Sequence, residues 1–444
     1  LLATSNLLKP LISFGSQHTI IKYFSSYNSA KEKDIFMSSI IFLPIMTIIP
    51  ICYLVVQFHD IIAGFLSLKN PIIESYVWVI FLVAFATSYF EVFYSWARVQ
   101  LKSVFGNFLK EIYPRVSIFI LLILVFFDII SKENFVWYLT GFYYLRLLIM
   151  IAYSLKLYTP NFYFKLPINT KQILSYSIYI FLAGSAASIL IDIDKFMIPQ
   201  KEAISQTAFY AVAVFIATVV EIPGRALFQI VNPLVAKALN TNNFTELKML
   251  YKESSLNLLI ISGLFFLLIN LNIVPFYELM DNPSYGTAVW VVLMISLSKL
   301  ILMSFGCGPA ILATSKFYKI TLPFSIGMAL SVYFLNDYLI DLMGINGAAL
   351  STLIVVAVFT FLKIIYLKSK LNLSPYSFNS VKTLFIIGSL FLIFENIPFP
   401  FKGISLIIIN SLIIGLVYTL VVYYLNLSRT LNKFLRNVLS KLRF

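Results

Sequence analysis

The sequence of 444 residues has few of the side chains with which proteins build metal sites and disulfides. It contains two cysteines, Cys52 and Cys307, and two histidines, His18 and His59. Both cysteines lie in apolar stretches, so we expect neither a disulfide framework nor a thiolate metal cluster. Two histidines make a histidine metal site equally unexpected. The sequence therefore predicts a protein without a metal or other cofactor.

Charged residues are also scarce, since they make up 12% of the chain, whereas a globular domain has about a quarter. Hydrophobic residues make up 60%, and the mean hydropathy is +0.90. This composition excludes an ordinary soluble domain and indicates a protein that lies in lipid. Because a helix needs about 20 apolar residues to cross a membrane, the sequence predicts an all-α polytopic membrane protein.

Thirteen apolar stretches are predicted as membrane spans, of which the first is short and atypical. They are 1–24, 36–58, 72–97, 108–130, 134–158, 172–198, 203–234, 256–276, 284–313, 320–342, 345–367, 378–395 and 403–425.

Basic residues alternate strongly between the two sides of these spans. The chain has 33 Lys and Arg against 19 Asp and Glu, a net charge of +14. One set of alternate connections, with the C-terminal tail, holds 23 Lys and Arg, and the other set holds five. The positive-inside rule makes the first set cytoplasmic. The basic excess therefore indicates membrane topology and not binding to nucleic acid.

This topology places the start of the first span on the outer face, and the first residue is Leu rather than Met. We therefore expect one more span upstream, giving fourteen in the intact protein, with both ends in the cytoplasm.

A polar stretch with two prolines, 158–171, has six spans before it, once the upstream span is counted, and six after it up to about residue 367, followed by a terminal pair. Equal halves of the same orientation suggest the parallel repeats of some alternating-access transporters. The predicted regions are an N-terminal lobe (1–158), a cytoplasmic linker (159–171), a C-terminal lobe (172–370), a terminal helix pair (371–425) and a basic amphipathic tail (426–444). Each lobe would have six helices.

Five cations lie outside the predicted loops. A charge near the middle of a membrane costs at least about 2.5 kcal/mol, so it usually faces a bundle interior or water and usually has a function. Arg146 and Lys299 lie near the middle of their spans. The other three are Lys9, Arg115 and Arg225.

Two of these cations follow a glutamate by four residues, Arg115 after Glu111 and Arg225 after Glu221. Neighbours at this spacing share a helix face. Each arginine therefore either neutralises its neighbour or contributes to function, and the sequence leaves both readings open.

Acidic residues within the spans are candidates for ion coupling or gating. They are Glu91, Asp192, Asp194 and Glu221. Glu91 precedes Arg98 by two helical turns, which fits either a salt bridge or a protonatable gate.

Helix-breaking residues are expected to interrupt three spans. Pro44 and Pro50 lie in the second, Pro223-Gly224 in the seventh, and the sequence GCGP at 306–309 in the ninth. Such breaks permit bending where they line a cavity, although ordinary kinking is the alternative for Pro44 and Pro50.

Several short motifs resemble, in order and spacing, those of the O-antigen and polysaccharide flippases of the multidrug/oligosaccharidyl-lipid/polysaccharide exporter superfamily. The resemblance covers nearly the whole chain. The motifs are FG at 14–15, YSWARVQ at 94–100, DIDKFMI at 192–198, FYAVAV at 209–214, PLVAKA at 233–238 and GINGAAL at 344–350.

The resemblance implies two six-helix lobes around a cationic cavity. Such a protein turns an undecaprenyl-pyrophosphate-linked oligosaccharide from the inner to the outer leaflet of the bacterial inner membrane, for O-antigen, capsule or other surface polysaccharide. Lys and Arg would compensate the pyrophosphate charge. Arg146 and Lys299 are expected to meet across that cavity. Expected partners are the lipid-linked glycan, membrane lipids, a polysaccharide polymerase and a chain-length regulator.

Two other classes of function compete with this one. An ion-coupled exporter of the multidrug and toxin extrusion type would prefer acidic cavity residues, because its substrates are cationic. A membrane enzyme would need a large catalytic insert, but the longest polar connections have about fifteen residues, too few for an independent domain. The phosphate-binding motif GxxxxGK[ST] is absent from the sequence as well. The sequence therefore favours a transporter.

Overall fold

The computed structural model describes residues 1–100, 102–280, 282–397, 403–433 and 436. Nineteen α-helices occur in this part of the chain, joined by short connections and 3₁₀ turns, and no strand occurs in it. The prediction of an all-α protein is therefore confirmed. The chain divides into two compact units, Leu1–Lys201 and Glu202–Phe444.

The first unit contains α1 to α9, and a 3₁₀ turn (Pro71–Tyr76) leads into α5. The helices are α1 (Leu2–Ser13), α2 (Ser16–Tyr23), α3 (Ala30–Gln57), α4 (His59–Ser67), α5 (Val77–Val99), α6 (Val104–Glu111), α7 (Tyr113–Phe126), α8 (Lys132–Leu157) and α9 (Thr170–Lys201).

The second unit contains α10 to α19, with 3₁₀ turns at Thr218–Glu221 and Pro283–Ala288. The helices are α10 (Ile204–Ala217), α11 (Ile222–Asn240), α12 (Phe244–Asn270), α13 (Ile273–Glu278), α14 (Val289–Ser304), α15 (Gly308–Thr314), α16 (Thr321–Met343), α17 (Ile345–Leu371), α18 (Phe378–Glu395) and α19 (Gly403–Tyr424).

The same order of elements occurs in both units. Each has a broken helix, a long helix, a short helix, a 3₁₀ turn that begins with proline, and three further helical segments. In the first unit this order runs from α1 to α8, and in the second from α10 to α17. Therefore α1–α2 corresponds to α10–α11, and α5 corresponds to α14.

Ten helices of the described residues are long and apolar enough to cross a membrane. The protein is therefore a multi-pass membrane protein, whereas the total of thirteen spans stays a prediction. The ten spans contain α3, α5, α8, α10, α12, α14, α16, α17, α18 and α19.

Four of these long helices begin at a polar capping residue. The side chains of Ser29, Ser131, Asn243 and Ser377 accept hydrogen bonds from the backbone N–H three residues further on, at 3.1–3.4 Å. These bonds satisfy amides that the first turn of a helix leaves without a partner. Apolar runs that follow the caps then continue each helix through the membrane.

Backbone conformation explains where two helices break. Phe14 and Gly15, between α1 and α2, both have positive φ, 47° and 72°. Gly306, between α14 and α15, has φ +56°, and a Cβ there would lie 2.6 Å from the backbone nitrogen of Ser255. Only glycine combines this conformation with such close packing. The predicted break at 306–309 is confirmed.

Of the two helix breaks predicted at prolines, the structure contains one. Pro223 lies in the first turn of α11, directly after the 3₁₀ turn Thr218–Glu221, so the break in the seventh predicted span is confirmed. Pro44 and Pro50 lie inside α3, which continues from Ala30 to Gln57, so the predicted interruption there is wrong. A proline removes one backbone donor, and membrane helices tolerate this loss.

The stretch between α8 and α9 packs along α3. The hydroxyls of Ser38 and Ser39 donate to the backbone carbonyls of Asn161 (3.5 Å) and Lys165 (3.1 Å). The Tyr158 hydroxyl donates to the buried carboxylate of Asp34. Burial and this neighbouring carboxylate raise the pKa of Tyr158. The predicted linker 159–171 is therefore held against the first unit.

The last two helices, α18 and α19, pack on α12 and α13 in the second unit. The Tyr418 hydroxyl on α19 donates to the carbonyl of Ile260 on α12 (2.8 Å). Helix α9 contacts α1 and α2 and so belongs to the first compact unit. The predicted lobe boundaries stay predictions. Most of the predicted tail, residues 434–435 and 437–444, lies outside the described residues, as does Lys402.

Candidate functional site

Glu91 on α5 lies between two lysines from neighbouring helices. Its Oε1 is 3.3 Å from Lys9 Nζ on α1 and 2.8 Å from Lys110 Nζ on α6. The Glu91 side chain is 9% exposed, and those of the lysines are 25% and 39% exposed. We call these three residues the Glu91 cluster. Two cations against one carboxylate leave one net positive charge.

Close helix packing holds the Glu91 cluster together. The Ser88 hydroxyl on α5 donates to the carbonyl of Lys9 (3.1 Å), which fixes α1 beside α5. On α6, a Cβ added to Gly106 would lie 2.2 Å from the ring of Tyr94. Glycine therefore lets α6 approach α5, and Lys110, one turn further along α6, reaches Glu91.

The predicted salt bridge between Glu91 and Arg98 is wrong. Within the described residues Glu91 pairs with Lys9 and Lys110, while the Arg98 guanidinium lies over the Tyr94 ring, 5.6 Å from its centroid. Two helical turns separate the Cα atoms of Glu91 and Arg98 by about 10 Å. The neighbouring helices bring cations much closer than this.

Arg146 on α8 is buried and 4% exposed. Its guanidinium carbon lies 4.3 Å from the ring centroid of Phe90 and 4.7 Å from that of Tyr143, and Nη2 donates to Thr87 Oγ1 at 3.5 Å. Among the described residues no carboxylate forms a salt bridge with it, and its Nε has no hydrogen-bond partner. Aromatic faces stabilise such a cation only in part.

A second cluster lies in the second unit, around Glu221. Its Oε1 is 3.0 Å from Arg225 Nη2, and its Oε2 is 3.0 Å from Lys299 Nζ. The exposed fractions are 19% for Glu221, 66% for Arg225 and 26% for Lys299. We call these residues the Glu221 cluster. It too has one net positive charge.

Local backbone structure positions the Glu221 cluster. Glu221 is the last residue of the 3₁₀ turn between α10 and α11, and Arg225 follows one turn later. The 3₁₀ turn itself packs against α14, and the Met303 side chain of α14 lies over Gly224. Lys299 lies on α14 one turn before Met303. The contact between the turn and α14 therefore brings Lys299 to Glu221.

The two clusters join corresponding helices, but the positions of the lysine and the glutamate are exchanged between them. In the first unit a lysine on α1 meets a glutamate on α5, and in the second a glutamate between α10 and α11 meets a lysine on α14. The repeated order of elements makes these the same pair of helices. Each carboxylate then has a second cation nearby.

The other predicted site residues lie elsewhere. Arg115 pairs with Glu111 at 3.6 Å, with side chains 71% and 50% exposed, so the structure does not bring it to either cluster. Asp192 and Asp194 are buried on α9. Lys195 Nζ lies 3.4 Å from Asp192 Oδ1.

The sequence interpretation missed Lys110, because its place near the start of the predicted span 108–130 put it with the cations of the preceding connection. In the structure it lies in the last turn of α6 and reaches Glu91. Phe90 on α5 was also missed as a neighbour of Arg146, because contacts between different helices leave no spacing signal. Tyr143, the other ring, lies three residues before Arg146 on α8. Within the described residues no group of His, Cys, Asp and Glu could hold a metal ion.

An all-α, multi-pass fold defines a polytopic membrane protein, and each of its two helical units contains a cluster with one net positive charge. The sequence model of the family described as "Polysaccharide biosynthesis protein" matches residues 1–239, more than half of the chain. The chain belongs to this family, which confirms the resemblance drawn from its motifs. No curated protein matches the sequence.

Solved structures of transporters share this fold. "Lipid II flippase MurJ, inward closed conformation" is similar with a TM-score of 0.72 and 14% identity, over 96% of this chain and 93% of that one. "Inward-facing conformation of a multidrug resistance MATE family transporter of the MOP superfamily" is similar with a TM-score of 0.62 and 13% identity. The latter match covers 84% of this chain and 88% of that one.

Proposed function

We propose that this protein is a flippase that moves lipid-linked saccharides with a diphosphate head across the bacterial inner membrane by alternating access. Its substrates are undecaprenyl-pyrophosphate-linked oligosaccharides for O-antigen, capsule or another surface polysaccharide. The observation that carries the proposal is the pair of clusters, each with two cations on one carboxylate, in a member of a polysaccharide biosynthesis family. The protein acts as a transporter and not as an enzyme.

The chemistry of the substrate supports this assignment. A diphosphate cannot enter hydrocarbon without compensation of its charge, and Lys and Arg donate short, charge-assisted hydrogen bonds to phosphate oxygens. Arg225 is the most exposed cation of the two clusters, and Lys299 and Lys9 are each about one quarter exposed. We assign Arg225 and Lys299 of the second unit to the diphosphate, and Lys9 in the first unit stays a candidate. Arg146 supplies a buried positive charge next to Phe90. Arg115 pairs with Glu111 outside both clusters, so we do not assign it to the diphosphate.

The membrane orientation supports a place in the inner membrane. With 23 Lys and Arg on one side and five on the other, the C-terminal tail lies in the cytoplasm. From there the protein would receive a lipid-linked glycan assembled on the inner leaflet. The polymerase and the chain-length regulator of the same polysaccharide are its proposed partners.

An ion-coupled multidrug exporter is the second candidate, because multidrug transporters share the fold. Glu91, Asp192, Asp194 and Glu221 would then take part in ion coupling or gating. Exporters of cationic drugs need acidic side chains that are open to the substrate. Glu91 and Glu221 are each paired with two cations, which favours the flippase.

Selective binding of a diphosphate lipid tests the proposal. We expect the protein in nanodiscs to bind undecaprenyl diphosphate at least about tenfold more tightly than undecaprenol, because charge-assisted contacts to the diphosphate contribute about 1.5–3 kcal/mol each. Native mass spectrometry of the two complexes gives the affinities. Equal binding of both lipids, together with tight binding of a cationic dye such as ethidium, would support the exporter instead.

A further inference from the structure

Glu221 contacts its two cations as a phosphate group would. One carboxylate oxygen lies 3.0 Å from Arg225 Nη2, and the other lies 3.0 Å from Lys299 Nζ. These cations come from different helices, α11 and α14. Two oxygens of one phosphate can span the same pair of donors, since both groups are anionic acceptors with similar hydrogen-bond lengths. Glu91 differs, because both of its lysines approach the same oxygen.

Glu221 and an incoming phosphate therefore need the same donors. An ammonium or guanidinium donates its strongest hydrogen bonds to the nearest anionic oxygen, and in the empty protein this oxygen belongs to Glu221. Without that carboxylate, two cations would lie close together without a counter-ion, at a considerable cost in free energy. The carboxylate stabilises the empty protein and also weakens the binding of any anionic ligand.

Glu221 lies at a break in the helical backbone, so the competition for its cations also affects how this break is held. The residue ends the 3₁₀ turn that breaks the α10–α11 segment, and such turns inside a helix often mark a hinge. The pair between Glu221 and Lys299 joins this break to α14. When a phosphate takes over Lys299 and Arg225, Glu221 no longer joins the break to α14.

We infer that Glu221 is an internal competitor of the substrate, holding Arg225 and Lys299 in the empty protein until the diphosphate of the lipid-linked substrate displaces it. The inference rests on the proposed function and assigns a role to the carboxylate rather than to the cations. Glu221 then speeds substrate release, because its carboxylate returns to the same cations when the diphosphate leaves.

The variant Glu221→Gln tests this inference. Glutamine keeps the shape of the side chain and can still accept a hydrogen bond, but it removes the competing charge. In nanodiscs we expect the full chain with this substitution to bind undecaprenyl diphosphate about tenfold more tightly than the wild type, because a charge-assisted contact is replaced by a weaker neutral one. We also expect slower dissociation of the lipid. Binding that is equal or weaker would overturn the inference.

A matched control is available in the first unit. Glu111 and Arg115 have the same spacing of four residues, but both side chains are at least half exposed, and among the described residues no third charge forms a salt bridge with them. Glu111→Gln should leave the binding of undecaprenyl diphosphate unchanged. Tighter binding in both variants would overturn the inference, because it would reflect net charge and not displacement.

A second variant covers the case in which Glu221→Gln fails to fold. Glu221→Asp keeps the negative charge but shortens the side chain, so it holds Lys299 less well and should also bind the diphosphate lipid more tightly than the wild type. Binding no tighter than that of the wild type would overturn the inference and leave the proposed function standing. A wild type that does not prefer undecaprenyl diphosphate over undecaprenol would contradict the proposed function itself.

Discussion

Replacing Lys299 with methionine is expected to reduce transport of the lipid-linked saccharide by about 10- to 100-fold. Lys299 is the cation of α14 in the Glu221 cluster, and it is partly exposed. Loss of a charge-assisted contact costs about 1.5–3 kcal/mol, and 1.4 kcal/mol corresponds to a factor of ten. The amount of surface polysaccharide made by a deletion strain of the host carrying this variant measures the effect.

The expected loss does not come from unfolding. Arg225, which lies 3.0 Å from Glu221, is untouched by the substitution, so the half-buried carboxylate keeps a cation. The amount of protein in the membrane should therefore equal that of the wild type. Lys299→Arg keeps the charge and is expected to restore most of the polysaccharide. Wild-type polysaccharide from Lys299→Met would contradict the assignment of Lys299 to the substrate.

Replacing Arg146 with methionine is expected to reduce transport without reducing thermal stability. Arg146 is 4% exposed and lies between two aromatic rings, and no described carboxylate forms a salt bridge with it. A buried charge without a counter-ion costs several kcal/mol of desolvation, so an apolar side chain of similar length is expected to be neutral or stabilising there. We therefore expect thermal stability that is unchanged or higher.

Transport by Arg146→Met is nevertheless expected to fall, by about tenfold, since the variant lowers the positive charge beside the Glu91 cluster by one. Thermal unfolding of the purified protein and surface polysaccharide in cells measure the two effects separately. Arg146→Lys keeps the charge and should retain more transport than Arg146→Met. A variant that loses stability and transport together would show that Arg146 serves the fold alone.

Much of this architecture follows directly from the sequence. Apolar runs of about twenty residues indicate the long helices because each must satisfy its own backbone hydrogen bonds in lipid. The same reasoning isolates Lys9, Lys299 and Arg225, since a cation inside such a run requires compensation. The structure places each of these three residues beside a carboxylate.

The carboxylate partners of these three cations could not be predicted from the sequence, except for Arg225 and Glu221, which lie four residues apart. Lys9 and Glu91 are 82 residues apart, and their contact depends on how α1 packs against α5. Lys110 reaches Glu91 because Gly106 lets α6 approach α5, and a single glycine does not reveal its neighbour in a sequence. Arg98 was chosen as the partner of Glu91 because only spacing along one helix is visible in a sequence.

The positions of the helix breaks could also be predicted only in part from the sequence. Glycine with positive φ at 306 was recognisable, because GCGP combines two glycines with a proline. Pro44 and Pro50 are helix-breaking residues without a neighbouring glycine, and α3 continues through both. Whether a proline ends a membrane helix depends on the packing around the backbone carbonyl it leaves without a donor, and the sequence does not encode that packing locally.

Direct translocation in a reconstituted system tests the central claim. A fluorescent undecaprenyl-pyrophosphate-linked oligosaccharide is placed in proteoliposomes, and a membrane-impermeant quencher reports the fraction in the outer leaflet over time. We predict that the wild type equilibrates the lipid between leaflets faster than protein-free vesicles do, and that Lys299→Met slows this at least about tenfold. Wild-type vesicles that exchange the lipid no faster than protein-free vesicles would contradict the account.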